Sequence, residues 1–314
     1  MKITHLAITA ILSSITILNA FSKEESMELN TSSGMIEGTL LIPDDGETFP
    51  VALIISGSGP TDRDGNNPMM KNNSLKMLAT ELEKSGIASL RYDKRGVGKS
   101  KTAGGSEEDL RFYHYIPDAA SWISLLNKDR RFSEIIVIGH SEGSLIGMVA
   151  SQQQPVAGFI SIAGAGQSAD QTIRKQLSAQ PEVVQNLANP IIDKLTQGET
   201  VDTIPPMLQS IFRPSVQPYL ISWFNYDPCN EISKLKIPVL IIQGSTDIQV
   251  SASDAESLQQ AKPDAELKII SGMNHVLKDA DPDRMKNLQT YNQPDLPINA
   301  DVVLAIRDFI KGAS

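Results

Sequence analysis

Cysteine occurs once in this 314-residue sequence, at Cys229, and histidine four times, at His5, His114, His140 and His275. A lone thiol excludes an internal disulfide. Neither residue type recurs at a ligand-like spacing, so no metal is expected. Basic tracts are absent, and 28 Lys and Arg against 37 Asp and Glu leave a net charge of −9. That balance argues against a nucleic-acid or anionic-membrane partner and suits a soluble acidic surface. Internal repeats and low-complexity tracts are also missing. Hydrophobic content of 40% and charged content of 21% are ordinary for a chain with a sizeable core.

The N-terminal apolar stretch, Leu6 to Leu18, is shorter than the roughly 20 residues that span a bilayer. It follows the positive start Met1-Lys2 and precedes Ala20-Phe21-Ser22 and the charged Lys23-Glu24-Glu25. This pattern predicts a secretory signal peptide over 1–22, cut after Ser22 or alternatively after Ala20. The mature chain would be secreted or periplasmic, with no stable membrane insertion. An uncleaved anchor is the rival reading. No cysteine follows the stretch, which closes the lipoprotein route. Cys229 reads as a buried small residue.

Residues 27–42 alternate as an antiparallel hairpin. Short apolar runs follow at Pro50–Ser56, Ile87–Tyr92, Ile135–Gly139, Val156–Ala163, Pro238–Gly244 and Ala265–Ser271. Their Val/Ile/Leu character suits parallel strands buried on both faces. Helical segments alternate with them: Ser74–Ser85, Tyr115–Asn127, Glu142–Gln153, Ala252–Ala261 and Asp301–Lys311. The alternation predicts an α/β fold with a mostly parallel, doubly wound sheet. Residues 166–231 break it, being helical and interrupted by prolines, and read as a helical cap. The core would comprise 23–165 and 232–314.

Gly139-His140-Ser141-Glu142-Gly143 lies between a strand and a helix and fits the Gly-x-Ser-x-Gly nucleophile elbow of an α/β-hydrolase fold. Turning a strand into a helix within one residue forces the serine to positive φ and exposes its Oγ above the sheet. A serine hydroxyl needs a base. His275, on the loop after the last strand, fits the chain order nucleophile, acid, histidine. His140 should point away from Oγ, and His114 precedes the nucleophile. Asp247 ends strand 238–244 on a turn and is the candidate acid. The preceding strand ends in Gly164-Ala165-Gly166, without a carboxylate. The oxyanion of acyl transfer needs two donors. The N–H of Glu142 is one candidate. The other is the N–H of Ser58, with Gly57 as runner-up, in the loop Ser56-Gly57-Ser58-Gly59-Pro60.

Two charged clusters, Asp62-Arg63-Asp64-Gly65 and Arg91-Tyr92-Asp93-Lys94-Arg95-Gly96, follow adjacent strands. Cross-loop ion pairs bracing the oxyanion loop are one reading; recognition of a substrate carboxylate by Arg63 or Arg95 is the other. Gly96-x-Gly98-Lys99-Ser100 lacks the full phosphate-loop spacing, so nucleotide binding is rejected. Lys101, Thr102 and the glycines beyond suggest a flexible loop. In the cap, Tyr219 to Tyr226 concentrates aromatic and aliphatic residues in a chain with 5% aromatics. This stretch either packs onto the sheet or contributes Trp223 or Phe224 to an acyl pocket.

With Ser56 to Gly65, Arg91 to Ser100 and Gly139 to Gly143 in that order, the chain resembles bacterial α/β-hydrolase carboxylesterases of the serine-aminopeptidase-like group. The resemblance runs from about residue 34 to the C-terminus. It implies a Ser141–Asp247–His275 triad and, without a cofactor, esterase activity on short acyl chains of a small-molecule ester. Two alternatives remain beside a secreted serine carboxylesterase. One is a peptidase of the same fold, using cap acids such as Glu182, Asp193, Glu199 or Asp227 to hold an amino terminus. The other is a hydrolase-fold binding protein with little turnover.

Overall fold

The computed structural model describes residues 23–313. The signal-peptide expectation for 1–22, and His5 with it, lies outside them. Among the described residues, β1 (Lys23–Thr31) and β2 (Gly34–Ile42) form the N-terminal hairpin. The remaining strands are β3 (Phe49–Ile55), β4 (Ala88–Tyr92), β5 (Phe132–His140), β6 (Gly158–Ile162), β7 (Val239–Gly244) and β8 (Glu266–Ile270). They join one sheet in the order β1-β2-β4-β3-β5-β6-β7-β8. β2 pairs antiparallel with β4, and every pairing from β4 to β8 is parallel. Parallel neighbours need crossover connections, and these are supplied by helices on both faces.

On one face, α1 (Ser74–Lys84) and α11 (Ala300–Ala313) bury a core with Ile54, Ile138, Ile160 and Ile242. On the other, α2 (Tyr115–Asn127) and α3 (Glu142–Ala150) pack on Leu53, Val137, Phe159 and Ile241. Successive strand residues point to opposite faces, so two apolar faces require the unbroken runs read from β3, β5, β6 and β7. Edge strand β8 departs from that expectation. Glu266, Lys268 and Ile269 are exposed there, because the sheet ends at β8.

Between β6 and β7 run α4 (Ala169–Leu177), α5 (Glu182–Thr196), α6 (Gln209–Phe212), α7 (Gln217–Phe224) and α8 (Pro228–Ser233). No strand interrupts them. Most of the prolines sit where they suit helix entry, as Pro218 and Pro228 do in the first turns of α7 and α8, whereas Pro190 lies inside α5. After β7 come α9 (Ala252–Ala261) and then, beyond β8, α10 (Arg284–Thr290). Helix α10 escaped the sequence reading, although Asp283 is a cap signal: its carboxylate accepts from the N–H groups of Met285 and Lys286.

The flexible loop expected beyond Lys101 is instead part of a 3-10 helical stretch, Gly98–Gly104. It packs against β2, where Ala103 is buried and its carbonyl accepts from Ser33 Oγ. Glycine-rich spacing was the misleading signal. Gly98 is there because any Cβ would lie 2.4 Å from Asp93 Oδ2, so the loop wraps a carboxylate of the protein itself.

Candidate active site

Ser141 sits between β5 and α3 with φ 55° and ψ −120°, a backbone region that is strained for serine. Its flanking glycines are sterically required. A Cβ on Gly139 would come within 2.3 Å of Gly143 O, and one on Gly143 within 2.3 Å of Ile55 O. Strand and helix therefore meet backbone to backbone, and the serine is carried at the carboxyl edge of the sheet.

Asp247 and His275 reach the same edge from the ends of β7 and β8. His275 Nδ1–H donates to Asp247 Oδ2 over 2.8 Å. The carboxylate is further held by the N–H groups of Gln249 (2.7 Å) and Val250 (3.0 Å) on Oδ1, and by Gln243 Nε2 (3.0 Å) on Oδ2. Burial alone would raise this carboxyl. The charge and hydrogen bond of His275, with the Val250 and Gln249 N–H groups, outweigh it and hold the group below its ordinary value. An ionised acid on Nδ1 leaves Nε2 of a neutral His275 as the proton acceptor. Ser141 Oγ makes no hydrogen bond among the described residues; such contacts in free enzymes commonly tighten when substrate binds.

His140 makes no hydrogen bond to Ser141 Oγ, and it has a partner the sequence did not disclose. Its Nε2–H donates to the main-chain carbonyl of His275 over 2.8 Å, and the two ring centroids lie 4.9 Å apart. Burial, then the proximity of His275, lowers the His140 pKa to about 4, so its ring is neutral near neutral pH. His114 lies elsewhere, its Nδ1 accepting the N–H of Arg111.

The charged clusters brace the loops. Arg63 NH2 meets Asp93 at 2.8 Å and Glu37 at 3.1 Å, and Asp93 also accepts the N–H groups of Arg63 and Lys99. Arg95 is held by Asp118 and Ser33. Both arginines considered for a substrate carboxylate are thus engaged within the protein. Lys94, named in the second cluster but given no role of its own, is fully buried and pairs with Glu142 Oε2 at 2.6 Å. Tyr219 Oη donates to Glu142 Oε1, and burial together with that carboxylate keeps its phenol protonated. Cys229 is partly rather than fully buried, its Sγ 3.1 Å from the Gly166 carbonyl.

A cavity of about 360 Å³ opens above Ser141, with Ser58 and Glu142 in its wall. Helices α4, α6 and α7 complete it through Ile173, Ile211, Leu220 and Trp223 among others. Trp223 stacks on Phe112 with centroids 5.9 Å apart, so it belongs to a packed aromatic cluster and to the cavity wall alike. Phe224 does not line it. Nor do the cap acids considered for an amino-terminus pocket. Asp193 pairs with Arg174, and Asp227 caps α8. Glu142 and Arg213 are the charged residues in the wall, and Arg213 pairs with Glu107. A second cavity of about 470 Å³ adjoins this one and shares Ile173, Gln176, Ile211, Gln249 and Val250 with it.

The sheet and the elbow define an α/β-hydrolase fold with a serine–histidine–aspartate arrangement at the carboxyl edge. Residues 71–213 match the protein family described as Serine aminopeptidase, S33. Esterase EstD of Thermotoga maritima is 26% identical over 252 residues, which is 77% of this chain and 58% of that protein. This chain therefore spans less than two thirds of that relative's length. Est1E from Butyrivibrio proteoclasticus, solved with ferulic acid, superposes with a TM-score of 0.64 at 18% identity, covering 91% of this chain and 98% of that one. The α/β-hydrolase GrgF from Penicillium sp. sh18 gives 0.60 at 17% identity over 93% and 99%. The Pyrococcus furiosus esterase Pf2001 gives 0.59 at 16% identity over 97% and 96%. At these identities the likenesses show the α/β-hydrolase fold.

Proposed function

We propose that this protein is a serine carboxylesterase that cleaves small-molecule esters through an acyl-enzyme. Ser141 Oγ attacks the ester carbonyl while His275 Nε2 takes its proton. The N–H groups of Ser58 and Glu142 receive the oxyanion. His275 then protonates the departing alcohol, and Asp247 stabilises the imidazolium between the two steps. Water activated by the same Nε2 attacks the acyl-enzyme, which releases the acid and restores Ser141.

The observation that carries this reading over a peptidase is the charge state of the cavity wall. An aminopeptidase must offer a carboxylate to a substrate ammonium. Glu142 is the acid in this wall, and Lys94 and Tyr219 occupy both of its oxygens. Leu145, Ile173, Ile211, Leu220 and Trp223 give this wall apolar surface that suits an acyl chain, beside neutral polar groups such as Gln167, Thr172 and Gln176. Purified protein offered p-nitrophenyl acetate to hexanoate and, in parallel, aminoacyl p-nitroanilides should hydrolyse the esters with at least about 10²-fold higher kcat/KM, a loss typical when a buried charge lacks its partner. Equal or better turnover of the anilides would reverse the assignment.

Helices α4 to α8 act, in this reading, as a cap that shapes the acyl site and sets substrate choice. The N-terminal pattern over 1–22 supports export to the periplasm or medium, with cleavage after Ser22 or Ala20. Mass measurement of the mature chain from cell fractions tests that part: an uncleaved, membrane-bound chain is the opposing outcome.

A further inference from the structure

Lys94 lies two residues beyond β4 and is fully buried, yet it carries a charge into the core. Its Nζ donates to the Gly57 carbonyl at 2.5 Å and to Glu142 Oε2 at 2.6 Å, and it stands 4.9 Å from the centroid of the Tyr115 ring. The second oxygen of Glu142 accepts from Tyr219 Oη, on helix α7 of the cap. One ammonium thus joins the loop after β3 to the first residue of α3, and one phenol joins that residue to the cap.

The two groups gripped by Lys94 are the ones that govern the main-chain donors. Gly57 C=O and Ser58 N–H belong to a single planar peptide unit, and no cis bond occurs among the described residues. In a trans peptide the carbonyl and the N–H point in opposite directions. A cation seated on the carbonyl therefore fixes the plane and aims the Ser58 N–H away from Lys94, in a residue that lines the cavity together with Ser141. It also polarises the amide, which strengthens the N–H as a donor. Glu142 opens α3, where the first N–H has no acceptor inside the helix. Its side chain is tethered at both oxygens, so the first turn of α3 is held in one orientation. A buried ion pair is a costly way to gain stability, because apolar residues of similar volume often replace one at no loss.

We infer that Lys94 and Tyr219 are positioning residues for the oxyanion site, Lys94 setting both main-chain donors and Tyr219 locking Glu142 to the cap. The inference rests on the serine-hydrolase reading above and deepens it. It makes seating of α7 a condition for a well-formed oxyanion site, since the Tyr219 hydroxyl is contributed from outside the core.

The test compares wild type, Ser141→Ala, Lys94→Met and Tyr219→Phe on p-nitrophenyl acetate, with a thermal melt for each. Lys94→Met should lower kcat by roughly 10²–10³, the loss seen when an oxyanion donor is removed, while KM moves by less than about threefold. Affinity for a trifluoromethyl ketone, which places an oxyanion in the same site, should fall in parallel with kcat. Tyr219→Phe keeps the ring and should lower kcat roughly three- to tenfold, again without a matching change in KM. A folded Lys94→Met with wild-type kcat, or with its loss carried by KM, overturns the inference. If Lys94→Met does not fold, an unchanged kcat in Tyr219→Phe overturns it. Ser141→Ala separates the two levels. A dead Ser141→Ala beside a fully active Lys94→Met strikes the positioning role alone, whereas wild-type turnover by Ser141→Ala removes the serine-hydrolase reading and this inference together.

Discussion

His140 donates through Nε2–H to the main-chain carbonyl of His275 over 2.8 Å, so the residue before the nucleophile holds the loop that carries the base. Elbow and histidine loop are thereby fastened by a neutral ring. Desolvation sets its protonation state, lowering the His140 pKa to about 4.

That ring gives stability a defined pH dependence. An unfolded histidine titrates near about 6.5, so unfolding takes up a proton between that pH and about 4. Stability is therefore lost as pH falls through this window, by about 3 kcal/mol at most. Asp247, held below the usual carboxyl value, adds its own loss at more acid pH. Chemical denaturation of His140→Asn between pH 4 and 6.5 should show a shallower slope than wild type, by close to one proton. Identical slopes would mean that His140 is protonated in the folded protein.

Asp247→Asn should fold and lose roughly 10⁴ in kcat. The Gln249 and Val250 N–H groups require an acceptor at Oδ1. An asparagine that keeps its oxygen there presents its NH₂ to His275 Nδ1. The imidazole then carries its proton on Nε2, where it is useless as a base. A variant with near-normal kcat would exclude Asp247 as the acid.

Trp223→Ala should shift the preferred acyl chain to greater length, because the indole borders the cavity over Ser141. Each methylene accommodated is worth about 1–3 kcal/mol in specificity. The indole also stacks on Phe112, so some thermal stability will be lost with it. A less stable variant with an unchanged chain-length profile would confine Trp223 to packing.

Ser141→Ala and His275→Ala should each remove about 10⁵–10⁶ of kcat, and the double variant little more, since nucleophile and base act as a unit. Additive losses would show that the two residues serve separate steps.

The sequence made the strands at β3, β5, β6 and β7 legible because burial on both faces demands apolar runs, and such runs sit next to loops that carry chemistry. Ser141 was visible because its backbone geometry demands glycines at fixed offsets. Asp247 and His275 followed from strand order, and the structure places them in contact at 2.8 Å. What stayed hidden is what depends on spatial neighbours far apart in the chain. Lys94 and Glu142 are 48 residues apart, and Tyr219 lies a further 77 beyond. Nothing local distinguishes such a lysine from a solvated one. Likewise, the glycine-rich stretch beyond Lys101 reads as a flexible loop, and nothing local shows that the turn before it, at Gly98 and Lys99, wraps the Asp93 carboxylate. Edge exposure of β8 is equally a property of sheet order, and its own apolar content does not reveal it.

The most direct test of the central claim is intact-mass analysis after treatment with a fluorophosphonate, followed by peptide mapping. The account predicts one covalent adduct per chain, located on Ser141, with labelling abolished in Ser141→Ala and strongly slowed in His275→Ala. An unlabelled wild-type protein, or an adduct on any other residue, would contradict it.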